Sequence, residues 1–206
     1  DTTSAYLTPL VLEGLKLVKG VGYKVDDQMV SKGLSWQTTA IKTLTEQLSD
    51  PKHMADSYFD SESRTDLAYM LFTQALWQKK LNKSDLVAVN YLEKNQSTLT
   101  PEALSYFARA LKLAGREDGA QKILDRLLVL ANTTDETIDW ERCKAMLLKI
   151  GPNIDEYAYY SYRFTPEETT ALGLTTLLEV RPSETAKIER VKAWILLHRG
   201  ETGWGT

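Results

Sequence analysis

Thr100-Pro101-Glu102-Ala103-Leu104-Ser105-Tyr106-Phe107-Ala108-Arg109-Ala110-Leu111-Lys112-Leu113-Ala114-Gly115 is the stretch that decides the fold class. Pro101 suits a first helical turn, where its missing N–H has no intrahelical partner to lose. Leu104, Phe107, Ala108 and Leu111 follow helical spacing, and Gly115 supplies a stop. Past it, Ala120, Ile123, Leu124, Leu127, Leu128 and Ala131 form a second apolar stripe, so the stretch reads as a helical hairpin.

The same grammar extends in both directions. Tyr6, Leu7, Leu10, Val11, Gly14, Leu15 and Val18 predict a first helix that ends at Gly20-Val21-Gly22. Asp26 or Asp27 caps the next helix, whose stripe is Met29, Val30, Gly33, Leu34, Thr38, Ile41, Leu44 and Leu48. The Asp26-Asp27 pair also resembles the start of an acidic diphosphate-binding motif, but such motifs use longer clusters. Residues 49–63 read as a loop, with Asp50-Pro51, Asp56-Ser57 and Asp60-Ser61 as turn signals. A third helix over roughly 64–80 turns Leu67, Ala68, Leu71, Phe72, Ala75 and Leu76 inward. After a turn at 82–84, a fourth carries Leu86, Val89, Asn90 and Leu92. Thr165-Pro166-Glu167-Glu168 predicts a capped helix start with a capping box, and Glu184 to Leu197 is the last helix.

A weak internal repeat joins the hairpins. Ala68, Ala75 and Leu92 recur as Ala103, Ala110 and Leu127 at a shift of 35 residues. Trp36 and Trp194 mark two further helices. Fixed-period hairpins imply stacked units, because one pair cannot bury its own apolar face.

Composition narrows the function classes. The 206 residues are 43% hydrophobic and 26% charged, enough for one sizeable core. A net charge of −3 carries no basic excess of the kind nucleic acid attracts. No apolar run approaches a membrane span, and no signal peptide stands at Asp1. Cys143 is the one cysteine, so no internal disulfide forms. Arg142 and Lys144 flank it without a nearby histidine, which favours a half-buried structural thiol over a nucleophile. Asn82-Lys83-Ser84, Asn95-Gln96-Ser97 and Asn132-Thr133-Thr134 match glycosylation sequons.

His53 and His198 have no second ligand at metal spacing. Asp139, Cys143 and His198 make one wider set that an α/α-toroid zinc enzyme of the prenyltransferase type would use. No phosphate loop, nucleophile elbow or His-Glu-x-x-His is present. Residues 133–165 form an irregular zone, with a short helix or strand over 138–150 and a β-prone aromatic run at 157–164. Trp140, Tyr159, Tyr160 and Tyr162 are the candidate aromatic contact surface; the competing reading is an edge packing its rings into the core.

The end of the chain carries a more specific signal. Glu168-Thr169-Thr170-Ala171-Leu172-Gly173-Leu174-Thr175-Thr176-Leu177-Leu178 leads to Trp194-Ile195-Leu196-Leu197-His198-Arg199-Gly200 and Gly203-Trp204-Gly205-Thr206. This pairing resembles the thioester domain of bacterial alpha-2-macroglobulins. Ala5-Tyr6, Leu12-Glu13-Gly14-Leu15 and Gly22-Tyr23-Lys24-Val25-Asp26 are similar to an earlier segment of that family. Leu67-Ala68-Tyr69 and Ala103 to Leu111 fit its later hairpins. The resemblance implies an all-α fold, an α/α toroid of helical hairpins, incomplete here. Residues 1–206 would be one domain, a fragment of a larger multidomain protein. It implies a periplasmic or secreted, complement-like protease inhibitor, with proteases and other domains of the same chain as partners. It implies no enzyme activity and no cofactor. The family's reactive Gly-Cys-x-Glu-Gln is not found here: Cys143 is followed by Lys144-Ala145-Met146. The competing readings are a helical-repeat interaction module and, behind it, the zinc-dependent toroid enzyme. A cropped ring is expected to expose apolar helix faces at the break.

Overall fold

The structure, a computed structural model, describes residues 2–50, 57–140 and 164–199. Within them the chain is all-α: eight α-helices, one 3-10 turn and one minimal hairpin. The helices are α1 (Thr2–Gly20), α2 (Asp27–Ser49), α3 (Ser57–Gln78), α4 (Lys83–Lys94), α5 (Pro101–Leu113), α6 (Glu117–Val129), α7 (Pro166–Val180) and α8 (Thr185–Leu197). Two short strands, β1 (Asn132–Thr133) and β2 (Ile138–Asp139), pair antiparallel, with Asn132 opposite Asp139.

Local chemistry sets the boundaries. Asp26 starts α2 by accepting from the Gln28 and Met29 amides, so the Asp26-Asp27 pair is a helix cap. Asn82 and Asp85 form a reciprocal capping box on α4. Two helices open on the same Thr-Pro-Glu. Thr100 caps α5 and Thr165 caps α7, each with proline in the first turn, and Thr165 with Glu168 completes a second capping box. At the other ends Gly115 takes φ of 74° while its amide bonds to Lys112 and the Arg116 amide bonds to Leu111. Gly22 ends α1 the same way, at φ of 93°. In this left-handed closure a side chain would be strained, which explains both glycines.

The odd-numbered helices lie side by side: α1 against α3, α3 against α5, α5 against α7. The even-numbered helices pack on this row, each against its hairpin neighbours, and α2 also packs on α4. One hydrophobic core runs from Ile41 in α2 to Val191 in α8. Its centre is α3 and α5, in which Leu67 to Phe72 and Ala103 to Leu111 are buried without a break. The sequence repeat lies there. Ala68, Ala75 and Leu92 and their counterparts Ala103, Ala110 and Leu127 are all fully buried. Phe72 and Phe107, Ala88 and Ile123, and Val89 and Leu124 extend it as further buried pairs. Thr65 and Thr100, one repeat apart, hydrogen-bond to each other at 3.2 Å.

Four expectations need correction. Helix α3 begins at Ser57, seven residues before the expected start, because the polar residues read as turn signals are also compatible with helix. The buried stripe of α4 is Asp85, Ala88, Val89 and Leu92, which leaves Leu86 41% exposed and Asn90 outward. Its phase is set by the capping-box carboxylate turning inward. On α1 the covered residues are Pro9 and Leu12, whereas Leu7, Leu10, Val11 and Val18 of the expected stripe are exposed. On α2, Met29 is likewise exposed and Gln37 takes an inward place, paired with Thr73 of α3 at 2.8 Å.

Candidate functional site

The side-by-side packing of the odd helices brings one group of aromatic and charged side chains together. Tyr6 of α1 lies 5.9 Å from Tyr69 of α3, and Tyr69 stacks on Tyr106 of α5 at 4.3 Å. Phe164, just before α7, closes the circuit at 6.4 Å from Tyr106 and 6.5 Å from Tyr6. Phe72 stacks beside Tyr69 and tilts against Tyr106. Offset and edge contacts of this kind add to the burial of each ring.

Charged groups border the rings. The Tyr69 hydroxyl donates to Glu13 Oε2 at 2.6 Å. Burial pushes the Tyr69 phenol well above the usual tyrosine range, and the bond to the Glu13 carboxylate pushes it further the same way. Burial raises Tyr106 as well, with the Glu13 charge next in importance. Arg109 lies 4.1 Å over the Phe72 ring and grips Glu179 of α7 through two bonds of 2.8 and 2.9 Å. Glu102 of α5 accepts from Thr169 of α7 at 2.5 Å. These links tie α1, α3, α5 and α7 into one unit.

Both stacked phenols are held neutral, and the Tyr69 hydroxyl proton is committed to Glu13. Arginine is already matched by a bidentate carboxylate. The sequence showed the individual aromatics but not their meeting, because Tyr69, Tyr106 and Glu13 come from three hairpins. The available signal was tyrosine with phenylalanine or arginine three residues on: Tyr69 with Phe72, Tyr106 with Arg109.

The residues proposed from sequence fall elsewhere. Trp140 is core, 2% exposed, with its indole N–H donating to the Leu127 carbonyl at 2.9 Å. It therefore presents no contact surface; a ring this large next to α6 and α7 is worth more buried. Its ring also fills the space beside Gly173, where an added Cβ would come within 2.5 Å of it. Tyr159, Tyr160 and Tyr162 lie outside the described residues, as does Cys143. Of the zinc set, Asp139 is buried and accepts from Asn132 at 2.9 Å, and the His198 ring stacks on Trp194 at 3.9 Å. Among the described residues no three His, Cys, Asp or Glu side chains group to hold a metal. No helix there is long and apolar enough to cross a membrane. No protein-family model matches the chain, and no curated protein matches it.

Proposed function

We propose that this chain is scaffold, not catalyst: a section of the thioester-type domain of a bacterial alpha-2-macroglobulin. The observation that carries the reading is the side-by-side order of α1, α3, α5 and α7, with the even-numbered helices packed on this row. A ring of hairpins with an inner and an outer layer requires that order. The Thr169-Thr170-Ala171 helix of the end motif supports it further. Thr170 is fully buried, and its hydroxyl accepts from the Trp140 backbone amide at 3.3 Å. Gly173 lies against the same tryptophan. The motif residues of α7 are thus packing determinants, consistent with a framework role.

On this reading the whole protein is a periplasmic or secreted protease trap. Its targets are endopeptidases, and this section holds the geometry of the domain without reacting itself. Any thioester lies in another part of the polypeptide. The test is made on the full-length parent: intact mass before and after methylamine, with a thiol assay alongside. One added amine and one released thiol are expected for a covalent trap. No mass change and no new thiol would remove the covalent mechanism, and failure to complex an added protease would remove the trap reading altogether.

The 35-residue repeat of α3–α4 in α5–α6 favours one rival, an open helical-repeat binding module. Small-angle scattering of the full domain separates the two, since a closed ring and an open solenoid of equal mass differ in their largest dimension.

A further inference from the structure

Two stretches of this acidic chain are basic throughout. Residues 14–24 hold Lys16, Lys19 and Lys24, residues 76–84 hold Lys79, Lys80 and Lys83, and neither stretch contains an Asp or Glu, although the whole chain carries a net charge of −3. The fold brings the two stretches together. Helices α1 and α3 pack side by side and run the same way: Tyr6 meets Tyr69, and further along both helices Leu12 meets Trp77.

The lysines converge on one ring. The Trp77 indole is fixed by its N–H, which donates to the Leu12 carbonyl at 2.9 Å. Lys16 places its ammonium 4.6 Å from the centre of that ring, and Lys19 places its own at 5.6 Å. An aromatic face attracts a cation, so a single held ring gathers two. Burial holds Lys16 below the usual lysine range, and the charges of Lys79 and then Lys19 push it further the same way. Lys19 is answered by Asp27 at 3.0 Å, an ion pair whose acidic side chain is 84% exposed and therefore contributes little. Among the described residues, no carboxylate lies at ion-pair distance from Lys16 or Lys79. The C-terminal ends of α1 and α3 favour cations through the helix dipole, which offsets part of the repulsion.

The backbone adds an independent observation. Lys79 has φ of 57°, in the left-handed region, and among the described residues it is the one non-glycine there. Helices α1 and α5 use Gly22 and Gly115 for the same closure. A lysine in this conformation bears strain that glycine would not, so stopping the helix does not account for the residue. Its charge does, because it is the third to act on Lys16.

From these observations we infer that the junction of α1 and α3 is an anion site in which Lys16, Lys19 and Lys79 hold a terminal phosphate group. Three ammonium groups suit the three free oxygens of such a phosphate, whereas a carboxylate offers two. Lys24, Lys80 and Lys83 are exposed and extend the positive surface around it. A soluble phosphate compound and the headgroup of an acidic phospholipid both present this group. The inference rests on two helices of this chain and stands or falls separately from the family reading.

The test uses two probes on the whole chain: calorimetric titration with pyrophosphate, and flotation with phosphatidylcholine vesicles carrying phosphatidic acid. Saturable binding to at least one is expected. Pyrophosphate binding assigns the site to a soluble phosphate compound, and binding to vesicles alone assigns it to a lipid headgroup. Lys16→Gln should weaken the binding by at least about tenfold, the loss of one charge-assisted contact. Lys79→Gly separates binding from folding. It should weaken binding comparably while the melting temperature holds or rises, since glycine relieves the left-handed strain. Lys122→Gln, an exposed lysine of α6, is the control for overall charge and should change affinity by less than about twofold. Circular dichroism confirms that each variant is folded. Binding to neither probe overturns the inference. So does an equal loss in Lys122→Gln, which would mean attraction by charge alone, or unchanged affinity in Lys79→Gly.

Discussion

Helices α1 and α5 are both rich in apolar residues, yet they sit in the protein in opposite ways. In α5 every residue from Pro101 to Leu111 is buried, polar ones included: Glu102 bonds to Thr169, and Arg109 is matched by Glu179. In α1 one stripe is covered and a second faces outward. The difference comes from neighbours. Among the described helices, α5 packs against α3, α6 and α7, whereas α1 packs mainly against α2 and α3. An apolar stripe in a sequence says that a face is fit to be covered; how many faces are covered depends on the helix's place in the row.

Removing a ring from the enclosed helix gives the largest expected effect. Phe107 is fully buried in the hydrophobic core. Phe107→Ala should destabilise the fold by about 3–5 kcal/mol, read as a lower urea midpoint at an unchanged denaturant slope. A loss below about 1 kcal/mol would mean that α5 is far less enclosed than its burial indicates.

Adding a methyl at the α7 contact comes next. The nearest Trp140 ring atoms would lie 2.5, 2.7 and 2.9 Å from a Cβ at position 173. The indole cannot easily retreat, because its N–H is bound to the Leu127 carbonyl. Gly173→Ala should therefore cost about 1–3 kcal/mol despite its higher helix propensity. Trp140 fluorescence should shift to the red if the ring is displaced toward solvent. A gain in stability would show that the contact relaxes freely.

How much of this was legible in the sequence follows from the range of each interaction. The caps at Asp26 and Thr165, the stop at Gly115 and the hairpin α5–α6 rest on residues within a few positions of one another, so their patterns survive without tertiary context. The repeat linking Ala68 to Ala103 was legible because it copies one buried environment into the next hairpin. Three features were not. The start of α3 was hidden by polar residues that serve a first helical turn as well as a loop. The phase of α4 depended on the inward carboxylate of Asp85. The circuit of Tyr6, Tyr69, Tyr106 and Phe164 joins residues from four separate segments, and its only local trace is a tyrosine three residues before another ring or an arginine. Trp140 shows the same limit: an aromatic beside a β-prone run reads equally as surface or core until Gly173 is known to face it.

The aromatic circuit gives a smaller, pH-dependent effect. Tyr69 and Tyr106 have folded pKa values raised above the ordinary value near 10. Raised folded values mean that the unfolded chain loses its phenolic protons first. Stability is full below about pH 10 and falls as pH rises above it. Tyr106→Phe should make that alkaline decline shallower while leaving the slope between neutral pH and pH 9 unchanged, measured as melting temperature against pH. An unaltered alkaline limb would place Tyr106 in solvent and open the circuit.

The smallest effect returns to the outer face of α1. Leu17 is 67% exposed, so Leu17→Gln removes little buried surface from the folded chain. The stability of the chain should change by no more than about 0.5 kcal/mol. Placed beside Phe107→Ala, it sets two apolar residues of similar size against each other, one enclosed and one not. Any larger loss would mean that Leu17 is covered within its own chain, and α1 would then be enclosed like α5.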